Sequence, residues 1–317
     1  MKRYLFFGLL LFAVPAANAQ TKTLLQRVQE VTNNHSSTNK ITVYYSPQHE
    51  KKALELRAGL EEAKAYFDRK LKVKMPFTLA VLDDPQWNRI MSTMQRRDAY
   101  TLEADKPSGL QPYSQPYGIP MSSAPPYIIF LPATADNPPT KNALSAKPFL
   151  TESQIKEVEA SGFSYEEAAR KKPDLIGFHE LGHQYVDVYG IRATNQWLRE
   201  FLASYFAYAF LSEKYPKLAH LYLALDEANL ATIKPIHTSL EDLNNLGIGV
   251  GARNYGWYMG QLMRMVARVY EKKGLKFVAE VRKAFPMSEK ESVSMNDGLQ
   301  RLEKIYPGFI EWSKNLK

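Results

Sequence analysis

The N-terminal half of the sequence contains two apolar runs of strand character on either side of a long amphipathic stripe. Residues 41–46 (ITVYYS) and 75–82 (MPFTLAVL) are rich in β-branched and aromatic residues, which favours strands. Between them, from Ala53 to Phe67, apolar residues recur every three or four positions with charges in the gaps, as on a helix with one solvated face. Shorter helices are predicted over residues 21–34 and 84–91.

Residues 107–139 differ in composition and pattern, because prolines and tyrosines are frequent and the apolar periodicity is lost. Proline cannot donate a hydrogen bond to a sheet, so we expect a loop or an edge strand here. Within this segment, residues 127–131 (YIIFL) have the composition of a strand. A loop of this kind beside a sheet either lines a cleft or decorates the surface, and the sequence leaves both interpretations open.

From residue 150 to residue 317 the pattern is helical. Residues 151–162 open with a capping box, and further helices are predicted around residues 177–187, from about 194, from about 216, over 253–273 and as a C-terminal pair. The layout predicts an α+β fold, with a mixed sheet and helices in residues 20–149 and a mainly α-helical part in residues 150–317. We expect the two parts to form one unit, with the helix at 177–187 at their junction, where clefts commonly form.

The first 19 residues have the features of a secretory signal peptide. Lys2 and Arg3 precede an apolar run over residues 4–14 that is too short to span a bilayer comfortably, and residues 17–19 (ANA) form a small-x-small cleavage site. We expect cleavage before Gln20 and export to the periplasm or the exterior. The alternative is an uncleaved membrane anchor. No later segment is apolar enough to cross a membrane, so no stable span is expected in the mature chain.

Charge and cysteine content narrow the function classes. The formal net charge is +8, of which Lys2 and Arg3 contribute two that leave with the signal peptide. The basic residues are scattered among acidic ones, so nucleic acid is not an expected partner. The chain has no cysteine, so its stability after export must come from the core without disulfides.

The clearest chemical signal is the segment GFHELGHQYVD at residues 177–187. His179 and His183 are four residues apart, so they lie one above the other on one helix face and can bind one ion together. Zn²⁺ suits imidazole nitrogen, and Glu180, about 100° round the helix, can flank the ion as a general base. Gly182 lacks a side chain, so a second backbone can approach the helix there.

A catalytic zinc site needs a third protein ligand, and Glu200 is the candidate. It lies in NQWLREFLASYFAYAF (residues 195–210) on a stripe whose other members, Ala203, Ser204 and Ala207, are small. A carboxylate buried among large apolar neighbours needs a cation. A salt bridge from Glu200 to Arg192 or Arg199 is the alternative.

The two segments together, HELGHQYV and QWLREFLASYF, resemble the gluzincins, the zinc peptidases that include thermolysin and aminopeptidase N. Sixteen residues separate His183 from Glu200, slightly fewer than the usual family gap. The resemblance is tight over residues 173–210, and the wider layout resembles the peptidase MA-like group. It implies a zincin-like fold, one Zn²⁺ bound by His179, His183 and Glu200, and hydrolysis of peptide or protein substrates with Glu180 as general base.

Gluzincins also supply a group from a later helix that stabilises the oxyanion. Residues 253–270 resemble the family's Tyr-x-x-Gly helix, although Trp257 stands where the tyrosine is expected. Tyr258 is the first choice, Tyr255 the second and His237 the third. The alternative is that both tyrosines only pack.

The sequence also bears on the residues around the metal ligands and on the choice of substrate. Asp187 either orients an imidazole from outside the ligand set or faces water, and Ser204 is a second candidate for orienting the ligands. Residues 118–125 (GIPMSSAP) have serines where aminopeptidase N-like members carry a glutamate, so an aminopeptidase is not favoured. Two other functions remain open: a non-catalytic exported binding protein with a vestigial zinc site, and a zinc hydrolase of a non-peptide bond.

Overall fold

A computed structural model of the chain describes residues 23–92 and 127–316. The described strands form one sheet in the order β1-β2-β3-β4: β1 (His35–Ser37), β2 (Ile41–Tyr45), β3 (Phe77–Leu82) and β4 (Tyr127–Pro132). β1 pairs with β2 antiparallel, whereas β2 with β3 and β3 with β4 are parallel, so the sheet is mixed.

Helices make up most of the remaining described chain, and they are α1 (Leu24–Val31), α2 (Glu50–Leu71), α3 (Asp84–Ser92), α4 (Pro138–Ala146), α5 (Glu152–Glu159), α6 (Tyr165–Val188), α7 (Gln196–Lys214), α8 (Pro216–Thr232), α9 (Leu240–Leu246), α10 (Ala252–Lys273), α11 (Lys276–Ala284), α12 (Met295–Ile305) and α13 (Phe309–Lys314). The α+β class is thereby confirmed, with a mixed sheet near the N-terminus followed by a mainly helical half. None of the described helices is both long and apolar enough to cross a membrane.

The sheet is covered on both faces, which explains why β3 is buried along its whole length. Leu79 and Val81 face the main core together with α2 and α6, whereas Ala80 and Leu82 face a smaller cluster formed with α1 and α3. Parallel strands buried on both faces read as continuous apolar runs rather than as an alternation. The run over residues 75–82 is of that kind.

Several elements differ from the sequence-based expectation. β1 was not predicted, because its three residues are polar and only edge-paired. The proline-rich segment was expected to remain a loop or edge strand through residue 139, but α4 begins at Pro138, with Asn137 as its N-cap. Proline is favoured in the first helical turn because its missing N–H would have no partner there. The predicted C-terminal pair is confirmed as α12 and α13, whereas α11, which precedes it, was not predicted.

Three predicted features lie outside the described residues. The signal peptide over residues 1–19 and the segment 118–125 are not covered by the description, nor is the part of the proline-rich segment before Tyr127.

Helix α6 lies between the sheet and the helical half, as expected for the junction. It begins at a capping box in which Ser164 and Glu167 satisfy each other's backbone N–H groups. At Gly177 it passes close to the sheet, since a Cβ at this position would lie 2.9 Å from Leu131 Cδ1. On its other side α6 packs against α7 and α8, so one helix connects both layers of the fold.

Candidate metal centre

The site begins with a close approach of two helices. A Cβ at Gly182 would lie 2.4 Å from the backbone oxygen of Ala203 and 2.9 Å from its Cα, so no larger residue fits without moving α7. The packing role expected for Gly182 is confirmed. The contact sets the faces of α6 and α7 that carry the two histidines and Glu200 against each other.

Three buried side chains converge at this crossing. The Oε2 atom of Glu200 lies 3.1 Å from Nε2 of His179 and 3.4 Å from Nε2 of His183. One possible ligand atom from each of the three residues lies within 4.8 Å of the others. In a tetrahedral site with bonds of about 2.0–2.1 Å, ligand atoms are separated by roughly 3.3 Å. The two distances from Glu200 match that separation, so the donor set is able to hold one metal ion.

The charges in the cluster suit a cation. Burial raises the pKa of Glu200, but the facing imidazoles of His183 and His179 outweigh it and leave that pKa well below its usual range. Burial lowers the pKa of His179, against the opposing influence of Glu200. An ionised carboxylate beside a neutral imidazole is the protonation state that a divalent ion requires.

Glu180 lies next to the cluster without belonging to it. Its side chain is buried, and Oε2 has no hydrogen-bond partner among the described residues. Burial, followed by the charge of Glu200, raises the pKa of Glu180 well above its usual value. A buried carboxyl oxygen without a partner is costly and therefore uncommon away from functional sites. Its position fits a group that exchanges protons with something bound at the cluster.

Two further contacts hold the ligand side chains in place. Ser204 Oγ lies 3.1 Å from Nδ1 of His179, as expected for a group that orients this imidazole. Gln196 Nε2 donates to Oε1 of Glu200 at 2.7 Å, leaving Oε2 for the cluster. Gln196 was not predicted, although its position four residues before Glu200 on the same helix was a usable signal.

The expectations for Asp187 and for the arginines need correction. Asp187 forms no hydrogen bond or ion pair with an imidazole among the described residues, and its Oδ1 atom instead lies 3.4 Å from Nη1 of Arg199. The alternative pairing of Glu200 with Arg192 or Arg199 is also wrong. Arg199 is engaged with Asp187, and Arg192 Nη2 donates to the carbonyl oxygen of Lys290.

The structure places Tyr255, rather than Tyr258, beside the cluster. Burial, followed by the charge of Glu200 and hydrogen bonding to it, raises the pKa of Tyr255 well above its usual range. Tyr258, the first choice, instead donates its hydroxyl to the carbonyl oxygen of Ser239 at 2.7 Å. The tyrosine beside Glu200 is therefore Tyr255, the second choice. His237 is directed elsewhere as well, with Nδ1 3.6 Å from Asp242 Oδ2.

Helix α8 adds residues that were not among the predicted site residues. Tyr222 is buried, and its pKa is raised by burial and by the charges of Asp226, Glu180 and Glu200. Asp226 is buried too and forms an ion pair with Lys172 of α6. No spacing motif links α8 to the HExxH segment, so only the packing of α8 on α6 and α7 reveals these groups.

Comparison with known proteins gave no match: no family model, no curated protein and no solved structure matches this chain. The site itself is thus the basis for assigning function. It is a buried His-His-Glu cluster able to hold a metal ion, formed by His179, His183 and Glu200.

Proposed function

We propose that this protein is an exported zinc-dependent metallopeptidase of the gluzincin type, which hydrolyses peptide bonds in peptide or protein substrates. The observation that carries the proposal is the position of Glu200 Oε2, 3.1 Å and 3.4 Å from the Nε2 atoms of His179 and His183, with Glu180 adjacent. Export rests on the sequence of residues 1–19.

The donor set favours zinc. Two imidazole nitrogens and one carboxylate are ligands that Zn²⁺ commonly takes in hydrolases. Structural zinc sites normally fill all four positions with protein ligands, whereas the residues described here contribute three. Three protein ligands with one position for water or substrate is the arrangement of a catalytic site, which argues against a purely structural ion.

Each residue then has a defined task. When bound, the ion supplies Lewis acidity and lowers the pKa of a water molecule towards about 7. A cation held at the cluster would keep Glu180 ionised, and Glu180 would then accept the proton of the attacking water on its unpaired Oε2 and deliver it to the leaving amine. Tyr255 keeps its proton and donates a hydrogen bond to the oxyanion that develops on the scissile carbonyl. Ser204 and Gln196 keep the imidazole of His179 and the carboxylate of Glu200 in position.

The test separates metal binding from catalysis. Purified chain beginning at Gln20 is assayed for zinc content and for cleavage of a mixed peptide library, beside Glu180→Gln and the control Glu271→Gln, an exposed glutamate of α10. We expect Glu180→Gln to retain one zinc and lose at least a hundredfold in cleavage rate, since general acid–base catalysis contributes about 10²–10⁴-fold. Full activity of Glu180→Gln, or no cleavage by the zinc-loaded wild type, would contradict the proposal.

A further inference from the structure

Helix α7, which carries Glu200, begins without the side-chain cap that its own sequence offers. Asn195 stands at the N-cap position, where asparagine usually accepts a hydrogen bond from an N–H group of the first helical turn. Its side chain makes no such bond, and Asn195 Nδ2 instead donates to the carbonyl oxygen of Val293 at 3.1 Å. The first four N–H groups of a helix have no partner within it, so the start of α7 needs other acceptors.

Asn244 of α9 supplies one of these acceptors from far along the chain. Its Oδ1 atom accepts from the backbone N–H of Gln196 at 2.9 Å, although the two residues are 48 positions apart. Gln196 is the first residue of α7, and its side chain donates at 2.7 Å to Oε1 of Glu200. Gln196 therefore donates twice, from its backbone to α9 and from its side chain to the third candidate ligand.

Helix α9 is itself fixed in place, so Asn244 is a firm support for the start of α7. Leu240 and Leu243 of α9 are buried in the main core. Ser239 caps the helix by accepting from the backbone N–H of Asp242 at 3.0 Å. Movement of Asn244 away from Gln196 would have to pull both leucines out of the core.

We propose that Asn244 is a positioning residue, which fixes the backbone of Gln196 and thereby the orientation of Glu200 towards the two histidines. The inference rests on the metal-binding part of the proposed function. A glutamine side chain is long and flexible, so it holds a carboxylate in one place only when its own backbone is held. With Oε1 of Glu200 bound to Gln196, Oε2 stays 3.1 Å and 3.4 Å from the Nε2 atoms of the histidines. Two consecutive hydrogen bonds thus connect α9, which contributes none of the three candidate ligands, to the metal centre.

The experiment measures zinc affinity and folding on the same samples. The apo protein is titrated with zinc against a fluorescent chelator, and its thermal unfolding is followed. The variants are Asn244→Ala, which removes the acceptor, Asn244→Asp, which keeps it, Gln196→Met, and the double variant Asn244→Ala/Gln196→Met. The matched control is Asn137→Ala, because Asn137 Oδ1 accepts from the N–H of Thr140 at 3.0 Å at the start of α4, a helix without a candidate ligand.

We expect Asn244→Ala and Gln196→Met each to bind zinc about tenfold more weakly than the wild type, the lower end of the range for residues that support metal ligands. Because Asn244 acts through Gln196, the double variant should bind no more weakly than Gln196→Met alone. Asn244→Asp should keep most of the affinity, since its carboxylate still accepts from the N–H. Asn137→Ala should lower the unfolding temperature by a few degrees, as loss of a helix cap does, and leave zinc affinity unchanged.

Three results would overturn this inference alone. The first is wild-type zinc affinity in a folded Asn244→Ala variant. The second is a loss in the double variant equal to the sum of the two single losses, which would mean that Asn244 and Gln196 act independently. The third is an equal loss of affinity in Asn137→Ala, which would mean that any lost helix cap weakens the site. Absence of zinc binding by the wild type would instead overturn the proposed function and this inference with it.

Discussion

The Gly182 contact yields the sharpest structural prediction, which concerns the substitution Gly182→Ala. The added methyl group would lie 2.4 Å from Ala203 O, 2.9 Å from Ala203 Cα and 3.0 Å from Ala203 C. All three are backbone atoms, so no side-chain rotation relieves the clash, and α7 has to move away by about 1 Å to reach ordinary contact. Overpacking of this kind costs about 1–3 kcal/mol, while alanine gains roughly 1 kcal/mol over glycine within a helix.

Because the clash is with rigid backbone, we take the upper part of that range and expect a net loss of about 1–2 kcal/mol. The effect on metal binding should be larger than the effect on stability. Gly182 is next to His183, and Ala203 lies three residues after Glu200, so separating the helices at this point separates the ligands. Binding sites tolerate errors of only about 0.5 Å, and we expect zinc affinity to fall at least tenfold.

The assay is thermal unfolding of the apo protein together with zinc titration. Gly59→Ala on α2 is the matched control, because its Cβ would meet Phe178 Cζ at 3.5 Å, which is an ordinary contact. This control should be neutral or slightly stabilising and should leave zinc affinity unchanged. Wild-type stability and zinc affinity in Gly182→Ala would refute the idea that the helix crossing sets the site.

Four other substitutions provide further tests. Tyr255→Phe should lower kcat by about 10²–10³-fold with little change in zinc content, whereas Tyr258→Phe should mainly lower the Tm; equal kinetic losses in the two variants would argue against the assignment. Ser204→Ala should weaken zinc binding about tenfold, as measured by chelator competition, and unchanged affinity would show that its contact with an imidazole is incidental. Gln184 is buried with both amide atoms unpartnered among the described residues, so Gln184→Met should keep or raise the unfolding free energy in urea, and a loss above about 1 kcal/mol would contradict this reasoning.

Much of the ligand cluster could be predicted because it depends on periodicity within single helices. The four-residue spacing of His179 and His183 fixes their common face, and the small-residue stripe around Glu200 indicates which face of α7 can approach. Gly182 adds the reason for the approach. These features are local, so the sequence carries them directly.

The remaining parts of the site depend on how separate helices pack, which no spacing encodes. Tyr255 and Tyr258 are three residues apart on α10, and only the rotation of α10 relative to α7 determines which hydroxyl reaches Glu200. Asp187 has the right helical position to approach a histidine, yet Arg199 of the next helix competes for it. Tyr222 and Asp226 come from a helix with no motif, so nothing in the sequence marks them.

The short elements were not predicted from the sequence, for a different reason. β1 has three polar residues and is held only by its pairing with β2, and α9 has seven residues, too few for a clear periodicity. α4 starts with two prolines, which by themselves favour a loop. Each of these elements is stabilised by its neighbours rather than by its own apolar pattern.

The account is tested most directly by metal analysis of the purified mature chain with and without the third ligand. Inductively coupled plasma mass spectrometry should find one zinc per chain in the wild type and less than a tenth of that in Glu200→Ala after dialysis. The two proteins should have the same far-ultraviolet circular dichroism spectrum. A folded Glu200→Ala that retains stoichiometric zinc, or a folded wild type that takes up none, would contradict the central claim.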